Sequence, residues 1–174
     1  MNFLDCTEPA HAPAILDILN HAIVHTTALY DYQPRTLDNM RAWFEAKRKG
    51  GFPVIGAIAD DGLLLGFASY GAFRAWPAYK YTVEHSVYVH HAHRGRNIGQ
   101  QLMHRLIARA TEQNYHTLIG VIDAENHGSI RFHQKLGFTH AGAIKQAGFK
   151  FNRWLDVAFY QLILPTPQHP KDDA

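Results

Sequence analysis

Tyr81-Thr82-Val83-Glu84-His85-Ser86-Val87-Tyr88-Val89, then His90-His91-Ala92-His93-Arg94-Gly95-Arg96-Asn97, then Ile98-Gly99-Gln100-Gln101-Leu102-Met103-His104-Arg105-Leu106-Ile107-Ala108-Arg109, is the stretch on which the fold turns. Its first part alternates β-branched and aromatic residues, the period of a strand. Its last part sets Ile98, Leu102, Leu106 and Ala110 at helical spacing on one face. The middle is basic and contains glycine. A strand that feeds such a loop onto a helix N-terminus makes an anion site, because unpaired backbone N–H groups and the positive dipole end act together, and phosphate is the usual guest. A dinucleotide fingerprint needs Gly-x-Gly-x-x-Gly, and a Walker loop needs a Gly-Lys-Ser/Thr ending. Neither pattern is present.

Working outward, residues 2–7 read as a short first strand. After Thr7, an N-cap position, Ile15, Ile18, Leu19, Ala22 and Ile23 mark an amphipathic helix, with Pro13 tolerated as a residue near its start. Residues 25–34 show no period and read as a loop. Thr36 caps a second helix through Met40, Trp43 and Phe44, which ends in Lys47-Arg48-Lys49-Gly50-Gly51, a basic run suited to a helix C-terminus. Residues 53–59 and 63–73 are strands around the Asp60-Asp61-Gly62 turn. Residues 76–79 read as a loop, 117–122 as a buried strand and 128–136 as a short helix stopped by Gly137. Residues 138–144 and 155–164 are the closing strands. The whole is expected to be one mixed α/β domain over 1–165, with a frayed tail over 166–174.

The 174 residues suffice for one domain with a real core. A net charge of +2 is too slight to point to nucleic acid. The single cysteine, Cys6, excludes an intrachain disulfide and suits a reducing compartment. No charged leader with a long apolar run opens the sequence, and no apolar stretch approaches the ~20 residues that span a bilayer, so a soluble cytoplasmic protein is expected. Thirteen histidines raise the question of a metal. His90, His91 and His93 cluster in a loop without His-Glu-x-x-His spacing, and one cysteine cannot build a thiolate site, so solvated loop histidines and no metal are expected.

Arg94-Gly95-Arg96-Asn97-Ile98-Gly99 resembles the Arg/Gln-x-x-Gly-x-Gly/Ala signature of the GNAT superfamily of acetyl-CoA-dependent N-acetyltransferases. Asn97 stands where that family usually has glycine; asparagine tolerates positive φ, so the turn is expected to survive. Asn126-His127-Gly128-Ser129-Ile130-Arg131-Phe132-His133-Gln134-Lys135-Leu136-Gly137-Phe138 resembles the second signature. Thr26-Thr27-Ala28, Tyr70-Gly71, Arg74, the strand at 82–89 and Arg153-Trp154-Leu155-Asp156 are similar to the phosphinothricin and methionine sulfoximine N-acetyltransferases. The resemblance runs from about residue 26 to 156.

What the resemblance implies is a GNAT fold, an α/β (α+β) arrangement with one mixed, mostly antiparallel sheet splayed at the acetyl-CoA site and helices on both faces. It implies acetyl-CoA as co-substrate and a homodimer. It further implies contacts to the coenzyme from Val87, Tyr88, Val89, Arg94, Gly95, Arg96, Asn97, Ile98, Gly99, Gln100, Asn126, Ser129 and Lys135, with an N–H in the Val87 region aimed at the thioester oxygen. Glu84, on the strand face shared with Thr82 and Ser86, is the candidate general base for an amine that is cationic at neutral pH. His133 occupies the place where many relatives carry a tyrosine acid; it or solvent protonates the leaving thiolate. Arg74 suits a substrate α-carboxylate through a bidentate grip, with Ala75, Trp76, Tyr30, Glu84, His85 and Ser86 as further substrate-side candidates. His85 faces away from Glu84 and also reads as a packed core histidine.

The activity expected is acetyl transfer to the α-amine of a small amino-acid-like substrate by direct attack in a ternary complex. A peptide N-terminus or a polyamine as acceptor, or a non-catalytic acyl-CoA sensor on the same scaffold, are the alternatives. A polyamine site would have little use for Arg74.

Overall fold

The computed structural model describes residues 1–172. Seven strands and four α-helices follow one another as β1 (Asn2–Asp5), α1 (Glu8–His25), α2 (Leu37–Lys49), β2 (Val54–Ile58), β3 (Leu64–Ala72), β4 (Thr82–Val89), α3 (Ile98–Glu112), β5 (Thr117–Asp123), α4 (His127–Lys135), β6 (Thr139–Lys150) and β7 (Arg153–Ile163). The strands form one mixed sheet in the order β1-β2-β3-β4-β5-β7-β6. The mixed α/β architecture is the one the sequence led us to expect. The chain groups into two compact units, Met1–Tyr70 with Ser86–Leu106, and Gly71–His85 with the described residues from Ile107 onward.

In the first unit α1 and α2 bury Ile15, Ile18, Leu19, Met40 and Phe44 in one cluster with Val54, Leu64 and Phe67. Each large apolar side chain so buried is worth about 1.5–3 kcal/mol over its exposed state. α2 starts as its sequence says it should: the Thr36 side chain accepts from the Asn39 N–H, and the Asn39 side chain accepts from the Thr36 N–H, a reciprocal cap. α1 starts differently. The Thr7 side chain makes no cap bond, and the Thr7 N–H instead donates to His11 Nδ1 at 3.0 Å. The proline argument also moves. Pro9 is the one in the first turn, whereas Pro13 lies inside the helix, where its missing N–H removes one i→i−4 bond. The aperiodic 25–34 loop is nonetheless tied down. Asn20 accepts from the Arg35 N–H at 2.7 Å, and Arg35 grips Asp31 with two bonds.

In the second unit β4 pairs parallel with β5 from Thr82–Thr117 to Glu84–Ile119. β5 then pairs antiparallel with β7 along its whole length, Thr117–Ile163 to Asp123–Val157. β6 runs past the expected end at Ile144 as far as Lys150 and pairs with β7, with irregularities at His140/Gly142 and Ile144/Gly148. Phe151 and Asn152, at φ 51° and 56°, turn the chain back, the signature of a two-residue hairpin whose central residues both need positive φ. The 76–79 segment contains one 3-10 turn, Pro77–Tyr79. Of the expected tail, Thr166 donates to the Tyr115 carbonyl and Lys171 exchanges bonds with the Tyr81 hydroxyl; residues 173 and 174 lie outside the described residues.

Candidate active site

β4 and the loop behind it carry most of the candidates. Within the first unit, Gly66 of β3 lets β4 come close: a Cβ there would stand 2.7 Å from the Tyr88 carbonyl oxygen and 3.1 Å from the Val89 Cα. The His90 N–H closes this contact by donating to the Leu65 carbonyl at 2.8 Å. The chain then makes a 3-10 turn over His91–His93 and reaches α3 through two residues of positive φ, Gly95 at 78° and Asn97 at 58°. The asparagine therefore adopts the conformation expected of the glycine it replaces. Its carbonyl accepts the first helical bond, from the Gln101 N–H at 3.1 Å. The N–H groups of Ile98, Gly99 and Gln100 come before that bond and have no helical carbonyl to meet. Around them Gly95 is open, a Cβ there meeting nothing within 4 Å, and Arg94 and Arg96 are exposed without an ion-pair partner among the described residues. Turn, helix end and guanidinium groups are all suited to phosphate.

The loop histidines are not simply solvated. His91 stacks on His21 of α1 at 4.0 Å between centroids, and the contacts continue to His25, His90 and His93. Desolvation, followed by neighbouring charge, pushes His21 and His90 below the usual histidine range. Among the described residues no three His, Cys, Asp or Glu side chains converge on a point that would hold a metal ion.

In the second unit, Asn126 caps α4: its Oδ1 accepts from the Ser129 N–H at 3.0 Å, which orients the side chain and leaves its amide N–H groups as donors for a ligand. Ser129 is half-buried and Lys135 exposed. Arg153 braces the approach to this cap by pairing with Glu125 at 2.6 Å and with Asp123 at 3.6 Å. His133, one helical turn beyond Ser129, is 4 % exposed and points inward. Its Nδ1 lies 2.8 Å from the Ser129 carbonyl, and its Nε2 lies 3.0 Å from Nε2 of His85, itself 6 % exposed. Both rings pack against Phe138. Gly120 makes room for them, since a Cβ there would sit 3.0 Å from His85 Cε1 and 3.3 Å from His133. Desolvation, then the neighbouring His133, pushes His85 down to about 3 against an opposing pull from the Ile119 backbone; desolvation also lowers His133. No pattern in the chain announces this pair, because its members are 48 residues apart.

Glu84 is exposed, between the buried Val83 and His85, on the strand face expected for it. It is also the last residue of β4 in the parallel ladder with β5. Arg74 is exposed, its guanidinium 5.0 Å from the centre of the Phe73 ring, and no carboxylate pairs with it among the described residues. Ala75 is exposed and Trp76 is 74 % exposed, so Trp76 is not a core residue of this chain. Tyr30 stands exposed in the loop of the first unit that Asn20 and Arg35 tie down. His85, by contrast, turns its ring into the protein, unlike the other substrate-side candidates.

A strand, a positive-φ basic turn and a helix end suited to phosphate are what an acyl-coenzyme-dependent transferase needs, and the chain belongs to the acetyltransferase (GNAT) family, whose model matches residues 14–138. Among its relatives, an L-methionine sulfoximine/L-methionine sulfone acetyltransferase of Salmonella typhimurium is 42% identical over 167 residues, covering 96% of each chain. A solved structure of yncA from Salmonella typhimurium, with its cofactor acetyl-CoA, is 40% identical with a TM-score of 0.93 and covers 98% of both chains. A phosphinothricin acetyltransferase of Sinorhizobium meliloti in complex with acetyl-CoA is 31% identical with a TM-score of 0.92, covering 97% of this chain and 91% of that one.

Proposed function

We propose that this protein transfers acetyl from acetyl-CoA to the α-amine of a small amino-acid-like substrate of the methionine sulfoximine, methionine sulfone or phosphinothricin type. The observation that carries the reading is the 94–99 turn, whose positive φ at Gly95 and Asn97 presents the first N–H groups of α3 beside two exposed arginines with no ion-pair partner among the described residues. That chemistry fits the pyrophosphate of a coenzyme, and the family and its acetyl-CoA-bound members support it. The acceptor class rests on the activities named for the relatives and on Arg74, an exposed guanidinium that no carboxylate among the described residues neutralises.

Bound acetyl-CoA supplies a thioester, an acyl group already activated for attack by an amine. The residues of this chain do the rest. Arg94, Gly95, Arg96, Asn97, Ile98, Gly99 and Gln100 hold the phosphates, with Lys135 as a further point charge. The backbone of Val87, Tyr88 and Val89 holds the pantetheine arm and donates to the carbonyl oxygen. Asn126 through its amide, and Ser129, supply further polar contacts. Arg74 holds the substrate carboxylate, with Ala75, Trp76, Ser86 and Tyr30 around the substrate. Glu84, directly or through water, takes the proton that the ammonium must lose. Attack is direct, within a ternary complex; Cys6, its thiol pushed up to about 12 first by burial and then by Asp5, is no nucleophile.

The reading extends to a single catalytic domain over 1–165, a cytoplasmic location and a homodimer. Support for the dimer comes from the edge strand β6 and the hairpin that joins it to β7, where Ile144 and Phe149 of β6, Phe151 of the turn and Trp154 of β7 are exposed. Sedimentation of the wild type as a dimer, and of Trp154→Glu as a monomer, is the expected pair of results.

Thiol release from acetyl-CoA, measured with methionine sulfoximine, methionine sulfone, phosphinothricin, a polyamine and a short peptide in parallel, tests the activity. Release confined to the first three is expected. Release with the polyamine or peptide alone moves the acceptor class, and tight acetyl-CoA binding with no release in any tube makes the protein a sensor.

A further inference from the structure

His85 and His133 form a buried pair that the reaction scheme leaves unused, and the hydrogens on their rings can be placed by elimination. A carbonyl oxygen only accepts, so the 2.8 Å contact with Ser129 requires the proton of His133 to sit on Nδ1. Its Nε2 is then bare. Two bare nitrogens cannot rest 3.0 Å apart, so Nε2 of His85 carries a proton and donates it to His133. This leaves Nδ1 of His85 as a buried acceptor with no hydrogen-bond partner among the described residues. Neither ring is placed to hold charge: both are buried, and Phe138 packs on each.

From this chain of bonds we infer that His85 is a positioning residue, which locks His133 as the Nδ1–H tautomer and thereby fixes the first turn of α4, where Asn126 and Ser129 stand. Two consequences follow. His133 has both nitrogens spent inside the protein and offers no proton to a leaving thiolate, so solvent supplies that proton. Removing the donor at position 85 leaves the bare Nε2 of His133 buried and unpaired; its ring then turns to find a partner and gives up Ser129. The effect on coenzyme binding rests on the acetyl-transfer reading above, whereas the tautomer does not.

The test is nitrogen-15 NMR of histidine-labelled full-length protein, as wild type, His85→Gln and His85→Leu, with acetyl-CoA kinetics on methionine sulfone for all three. In the wild type His133 should show the Nδ1–H pattern and His85 the Nε2–H pattern, both rings neutral at about pH 7. His85→Gln keeps an N–H for His133 and should preserve its pattern. His85→Leu should lose it and raise KM for acetyl-CoA roughly tenfold, the size of one buried hydrogen bond, with a smaller change in kcat. A His133 carrying its proton on Nε2, either ring charged at neutral pH, or identical His133 spectra and KM in the two variants would each overturn the inference. Should His85→Leu not fold, the wild-type and His85→Gln spectra decide. Absence of acetyl transfer in every protein would sink the acetyltransferase reading while leaving the tautomer result standing.

Discussion

Glu84 and His85 are adjacent, yet the strand sends one carboxylate outward and one imidazole inward, and each has its own consequence. Glu84→Gln keeps size and hydrogen bonding while removing the base. Turnover is expected to fall about 10²–10⁴-fold, with acetyl-CoA affinity nearly intact; calorimetry for binding and a pH–rate profile for turnover check this, and an unchanged profile would take Glu84 out of the base role. Gly66 acts on the same strand from β3. With 2.7 Å to the Tyr88 carbonyl there is no room for a methyl group, so Gly66→Ala should displace the backbone that follows Val87. A stability loss of about 1–3 kcal/mol and a raised KM for acetyl-CoA are expected, read by denaturant unfolding and steady-state kinetics. Residue-level chemistry was partly legible beforehand. Alternation placed Glu84 and His85 on opposite faces, and asparagine's tolerance of positive φ foretold the turn at Asn97. The contact of His85 with His133 could not be read, because a pairing across 48 residues leaves no local period.

At the scale of elements, the helices were readable because a buried stripe repeats every three or four residues, and the Thr36–Asn39 cap lies within one turn of sequence. β6 was readable only to Ile144. Beyond it Gly142 and Gly148 and two register shifts break the alternation on which a strand reading depends, and the strand is mostly exposed, so its pattern carries little apolar signal. Its hairpin offers a further check. Phe151 and Asn152 hold positive φ, where asparagine and glycine are much less strained. Replacing the pair by Asn-Gly in the Trp154→Glu background, where the proposed dimer contact is already removed, should therefore stabilise the chain by about 1 kcal/mol in a thermal melt. Arg153, next along, ties β7 to the loop before α4. Arg153→Met should lower the melt modestly, because the Asp123 carboxylate that faces it is buried while Glu125 is exposed, and should loosen the Asn126 cap enough to raise KM for acetyl-CoA.

For the molecule as a whole, the buried pair links folding to acidity. His85 is held to about 3 in the folded chain against an ordinary 6.5, so the unfolded chain binds the proton more readily. The stability this group contributes is fully present above about pH 6.5 and is lost as pH falls towards about 3, with a slope approaching 1.4 kcal/mol per pH unit. His133 adds to the loss in the same direction. Urea unfolding between about pH 8 and about pH 4 should show this decline, and His85→Gln should flatten it. Gly120 has a consequence of another kind. Because a methyl group there would press on both imidazoles, at 3.0 Å from one and 3.3 Å from the other, the identities of positions 85, 120 and 133 are not independent choices. Over evolutionary time they should change together: lineages that place alanine at 120 should already have given up one of the two histidines, and lineages that keep both should keep the glycine.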